Sequence, residues 1–193
     1  MWEPEEIDFE KLYNYVIENP NSAYTIGLLE RSKYQWSILV YQAKSYGEFP
    51  LQFEIIIKNE NKWNQGRCDF NISLNGVCEI INIDSDSPGL GSVMFFILEN
   101  IIKHAENDSL QITEIYGRLV NKHRINGDWL KSIPFYCMKA EQYSYDIVFD
   151  FESEKFAFKK GELRHDEKYM KSSELAKYLI NTYEEGSFSI CRY

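Results

Sequence analysis

The residues Asp86-Ser87-Pro88-Gly89-Leu90-Gly91-Ser92 sit at the centre of a stretch from Cys78 to Ile102 that reads as a strand, a tight glycine turn and a helix. A helix opening on Gly89-Leu90-Gly91-Ser92 aims unpaired backbone N–H groups and the positive end of its dipole at one point. That arrangement suits a phosphate or a pyrophosphate. A lone Gly-x-Gly also serves as an ordinary turn, so the weight falls on its place in the order of elements. Other chemistries lack their residues. There is no Gly-x-Ser-x-Gly elbow and no Gly-Lys-Ser/Thr ending to the turn. Cys68, Cys78, Cys137 and Cys191 are scattered without ligand spacing, and His104, His123 and His165 stand singly, so no metal site is expected and free thiols are.

The elements that must position this turn follow from periodicity. Ile7 to Ile17 has apolar residues at helical spacing after a candidate N-cap, Asp8, and stops at Asn19-Pro20-Asn21. Gln35 to Gln42 and Leu51 to Ile57 read as strands, with a polar turn at Asn59-Glu60-Asn61. Cys68 to Leu74 alternates apolar and polar residues, and Asn75-Gly76 then predicts a type I′ turn and an antiparallel partner from Val77. A helix from Gly89 to Ala105, a strand from Leu110 to Tyr116, a short helix or turn from Trp129 to Tyr136 and a strand from Tyr145 to Phe151 come next. Lys155 to Lys159 is a second hairpin arm, and a C-terminal helix is expected over residues 172–183.

Composition limits the partners. A chain of 193 residues with 14 Tyr, 12 Phe and 4 Trp suits one domain with a packed interior. A formal net charge of -9 argues against a nucleic-acid backbone as a general partner, while leaving room for a local basic patch, for example around Lys122, His123 and Arg124. No apolar run approaches the roughly 20 residues that span a bilayer, and Met1 to Glu6 lacks the regions of a signal peptide, so the expected location is cytoplasmic. Association into a homodimer is left open.

The order of elements over Leu51 to Phe151 resembles the GNAT family of N-acetyltransferases, and implies an α/β (α+β) fold whose mixed, largely antiparallel central sheet is flanked by helices. A single such domain would span residues 1–193, with a core of about 51–151, an N-terminal segment 1–50 and a C-terminal extension 152–193. The family's Q/R-x-x-G-x-G/A signature falls on Asp86 to Gly91, with Asp86 at the position of Gln or Arg. By resemblance, Ser87, Gly89, Leu90, Gly91 and Ser92 would hold the pyrophosphate of acetyl-coenzyme A, and the strand at Ile81 to Ile83 would pair with its pantetheine arm. Ile133-Pro134-Phe135-Tyr136-Cys137-Met138 looks like the family's Phe/Leu-Tyr helix ending, although Trp129 replaces an Asn and Ala140-Glu141 a Gly-Phe.

The resemblance implies attack of a small-molecule or peptide amine on the thioester carbonyl, polarised by a backbone N–H of the central strand. Tyr136 would return a proton to the sulfur, and Glu79 or a water relay would take one from the amine. In a regular strand Glu79, Ile81 and Ile83 share a face; packed inward, the carboxylate would be desolvated and its pKa raised. The competing expectation is a catalytically inactive member of the same fold that binds a ligand or a protein partner.

Overall fold

The structure, a computed structural model, describes residues 7–31, 34–43, 51–61, 63–108, 110–118, 129–150, 155–159 and 170–171. The expected C-terminal helix, the Lys122, His123 and Arg124 patch, His165 and Cys191 lie outside the described residues. The chain divides into two compact units, Met1–Ile112 and Thr113–Tyr193. The architecture is α/β, with antiparallel strands flanked by helices, compatible with a GNAT-like arrangement.

The first unit contains α1 (Phe9–Glu18), β1 (Tyr24–Arg31), β2 (Tyr34–Ala43), β3 (Leu51–Asn59), β4 (Asn64–Ile72), β5 (Val77–Ser85) and α2 (Leu90–Asn107). Its five strands form a meander in which each pairs antiparallel with the next. Asp8 caps α1 by accepting the Lys11 N–H at 2.9 Å, a bond worth about 1 kcal/mol. The register places Val40, Ile55, Cys68 and Ile83 in one transverse row, and Ile38, Phe53, Phe70 and Ile80 on the same side of the sheet. That side is the core. Leu12 and Val16 of α1 and Leu90, Phe95 and Leu98 of α2 are buried together with it. Each such side chain stabilises by about 1.5–3 kcal/mol through apolar burial. Phe53 and Phe70 stack across β3 and β4 with centroids 5.1 Å apart.

α1 is also clasped to the far end of α2. Tyr13 stacks on His104, with centroids 5.9 Å apart, and donates its hydroxyl to Asp108. Burial, reinforced by the Asp108 carboxylate, pushes the Tyr13 phenol up to about 12.

The β4–β5 hairpin forms as expected, but its turn is not type I′. Only Gly76 has positive φ, at 80°, while Asn75 does not. Gly76 N–H donates to Ser73 O at 3.2 Å, and Ser73 N–H donates to Val77 O at 2.9 Å. The loop is therefore three residues, Leu74 to Gly76, ending on a left-handed glycine. Ser73 explains the choice: its hydroxyl accepts the Val77 N–H at 3.2 Å and also contacts Asn75 Oδ1. A β-carbon on Gly76 would meet Gln111 O at 2.0 Å, so the close approach and the positive φ both require glycine.

The second unit contains β6 (Glu114–Arg118), α3 (Trp129–Gln142), β7 (Asp146–Asp150), β8 (Lys155–Lys159) and β9 (Met170–Lys171). β8 pairs antiparallel with both β6 and β7, and β7 also pairs with β9. α3 packs on β7 and runs past Tyr136 to Gln142, beyond the short element the sequence suggested.

Candidate functional site

β5 is the strand that leads to the glycine turn, and it is interrupted. Phe70 of β4 pairs with Ile80 and Asp69 pairs with Asn82, so Ile81 has no partner on β4. This is a β-bulge, which turns the extra residue out of the ladder and increases local twist. Ile81 is 57% exposed. The bulge also changes the alternation. Cys78 and Ile80 share the core side before it, and Ile83, opposite Cys68, takes the core side after it. Glu79 and Ile83 consequently fall on opposite faces, which corrects the shared face expected from regular strand periodicity.

Glu79 lies opposite Asn71 on the face away from α2, where Glu54, Arg67, Asp69, Asn82 and Asp84 also project by register. Arg67 Nε is 3.1 Å from Glu54 Oε1 and 2.9 Å from Asp69 Oδ2. As an exposed pair this adds at most about 1 kcal/mol. It leaves Glu79 and Asp84 as carboxylates outside that network, and the face as a whole is acidic.

Beyond β5, Asp86 N–H donates to Gln65 O at 2.9 Å, and Leu90 N–H donates to Ser87 O at 3.3 Å. Gly89 is the N-cap of α2 with φ 88° and ψ −16°, and no side chain bonds the cap. The Asp86 side chain therefore does not cap the helix. The first bond of the α2 ladder runs from Val93 N–H to Gly89 O at 3.2 Å. The N–H groups of Gly91 and Ser92 precede that bond, so helix geometry supplies them no acceptor. With Gly89 at the surface and Gly91 and Ser92 half-buried, these donors lie at the start of an 18-residue helix. The arrangement can stabilise an anion by direct N–H donation and by the helix dipole.

Tyr136 belongs to the second unit. With Lys139 and Ala140 it forms the buried side of α3, and it is 7% exposed. Its ring meets that of Phe135 edge-on, with centroids 5.3 Å apart. Lys139 Nζ donates to Gln142 Oε1 at 2.8 Å and lies 5.7 Å from the centre of the Phe135 ring. Burial pushes its pKa down. In the sequence this lysine is marked only by its place one helical turn from Phe135 and Tyr136.

Cys68, Cys78 and Cys137 are free thiols. Burial pushes the first two far up and Cys137 up to about 11, so none of them is an activated nucleophile at neutral pH. Among the described residues no three His, Cys, Asp or Glu side chains are grouped to hold a metal ion. Among them, too, no helix is long and apolar enough to cross a membrane.

No family profile matches this chain, and no curated protein does. Among solved structures it is similar to nourseothricin acetyltransferase, at 10% identity over 75% of this chain and 89% of that chain, with a TM-score of 0.36. It is also similar to a protein of unknown function from Aquifex aeolicus VF5, at 11% identity over 92% of this chain and 94% of that chain, with a TM-score of 0.35. Superpositions at this level define neither a shared fold nor a shared activity.

Proposed function

We propose that this chain is an N-acyltransferase of the GNAT type that moves an acetyl group from acetyl-coenzyme A to an amine. The observation that carries the reading is the sequence of events along one strand: a bulge at Ile81, then an uncapped glycine turn, then a long helix. The bulge turns main-chain groups out of the β4 ladder at Ile81, two residues before Ile83, and a pantetheine amide could pair there. The turn at Ser87, Gly89, Leu90, Gly91 and Ser92 offers the N–H groups of Gly91 and Ser92 to a diphosphate. The thioester supplies the acyl group and a thiolate that leaves.

On this reading Glu79 takes the proton of the attacking amine and Tyr136 returns one to sulfur. The acidic face around Glu79, Asp69 and Asp84 favours a cationic amine, small molecule or peptide, which it attracts at low ionic strength. A cytoplasmic location accords with the supply of such a carrier.

A thermal-shift titration tests the proposal. Acetyl-coenzyme A at about 100 times its Kd should stabilise the fold by about 2.7 kcal/mol, and raise Tm by roughly 5–10 °C for a chain of this size. Gly89→Glu, which puts a carboxylate into the cradle, should abolish the shift. The second reading, an inactive binding module, is favoured by the burial of Tyr136, whose phenol must be reached by the leaving sulfur. It takes precedence if millimolar cofactor leaves Tm unmoved.

A further inference from the structure

Asn75-Gly76 takes no part in the proposed reaction, yet the pair carries chemistry of its own. The main-chain nitrogen of a glycine can attack the side-chain carbon of a preceding asparagine, because glycine has no β-carbon to block the approach. A bond forms between Gly76 N and Asn75 Cγ, the bond from Cγ to Nδ2 breaks, and ammonia leaves with the proton that Gly76 N gives up. Water then opens the cyclic imide at either carbonyl, which leaves aspartate or isoaspartate in place of Asn75. Asn75 is exposed, so water reaches it.

The folded turn engages both reacting groups, and it does so through one residue. Gly76 N, the nucleophile, donates its proton to Ser73 O at 3.2 Å and so keeps the proton it would have to lose. The electrophile is tied by its oxygen. Asn75 Oδ1 accepts from the Ser73 hydroxyl, which itself accepts the Val77 N–H at 3.2 Å. Ser73 is 8% exposed, so water competes little for these bonds. Gln111 O occupies the space beside Gly76 that a β-carbon would need, which leaves the peptide little room to turn. We propose that Asn75 is a deamidation site held shut by Ser73, and that it reacts only when the β4–β5 turn opens locally. Its rate is then that of a free chain multiplied by the fraction of time the turn is open. The product no longer fits the turn. Isoaspartate adds a main-chain atom to a loop closed by Gly76 N–H on Ser73 O and Ser73 N–H on Val77 O, so a transient opening becomes permanent. The proposal stands whether or not the chain transfers acyl groups.

Peptide mapping by mass spectrometry tests it, with the full chain and a synthetic peptide of residues 71–79 aged side by side in mildly alkaline buffer. Asn75 in the folded chain should deamidate about ten to a hundred times more slowly than in the peptide, the range that two hydrogen bonds of ordinary net strength supply. Ser73→Ala should speed the folded chain by up to about tenfold, and Ser73→Thr, which keeps a hydroxyl, should stay slow. Urea unfolding of the wild type supplies the equilibrium constant for opening the whole fold, which should exceed the protection found at Asn75. Equal rates in the folded chain and the peptide would overturn the proposal, as would a Ser73→Ala rate no faster than the wild type. Protection as large as the global unfolding constant would overturn it too, because the site would then open only with the whole fold. That last comparison uses the wild type alone and decides the matter even if Ser73→Ala does not fold.

Discussion

β5 has a glycine turn at each end, and the two are used in opposite ways. Gly76 and Gly89 both have positive φ, 80° and 88°. At Gly76 the protein consumes what the turn offers. Its N–H goes to Ser73 O, the Ser73 hydroxyl takes the next N–H, and Gln111 O fills the space a β-carbon would need. At Gly89 no side chain caps the helix, and the donors of Gly91 and Ser92 precede its first bond. Left-handed glycine is therefore no sign of function in itself. What separates the two turns is whether the surrounding chain satisfies the amides.

Substitutions at the two glycines should widen that contrast. Gly76→Ala combines a left-handed β-carbon with a 2.0 Å approach to a main-chain oxygen, and should cost about 3 kcal/mol or more in urea unfolding. A loss under about 1 kcal/mol would mean that the turn relaxes freely and the contrast is false. Gly89→Ala meets only the conformational penalty, about 1–2 kcal/mol. Its larger effect should appear in coenzyme A affinity, which Gly76→Ala leaves alone if the fold is kept. The smallest effect is a control away from both turns. Because the Tyr13 phenol is held above its unfolded value, the folded state keeps its proton longer, and its contribution to stability is full below about pH 10. That contribution is lost as pH rises from there through about 12, and Tyr13→Phe should flatten this alkaline slope while leaving ligand response intact.

Much of the frame was legible because its signals are local. Asp8 marked α1, alternation from Cys68 marked β4, and the glycine turn with its apolar helix marked α2. The turn type at Asn75-Gly76 was not legible, since the dipeptide favours type I′ while the Ser73 hydroxyl, one residue outside the usual motif, selects the longer loop. β1 carries mixed apolar residues around Gly27 with a register shift there, and offers no clean period to read. The bulge had one trace, the Ile80-Ile81 doublet, which breaks alternation where the strand slips phase. The turn between β3 and β4 is marked in the sequence only as a polar turn; that Gln65, just after it, meets Asp86 comes from the long-range pairing of β4 with β5. For the same reason Tyr136 could be matched to a motif, whereas its burial depends on how α3 packs.

The register on either side of Ile81 has a mechanical corollary. Cut that one residue out and each remaining β5 side chain keeps both its cross-strand neighbour and its side of the sheet, inward for Cys78, Ile80 and Ile83, outward for Glu79 and Asn82. Ile81 is a spacer with no structural duty in the interior, so a chain shortened by that single isoleucine would fold around the same centre and present a flat ribbon where the native one has a notch.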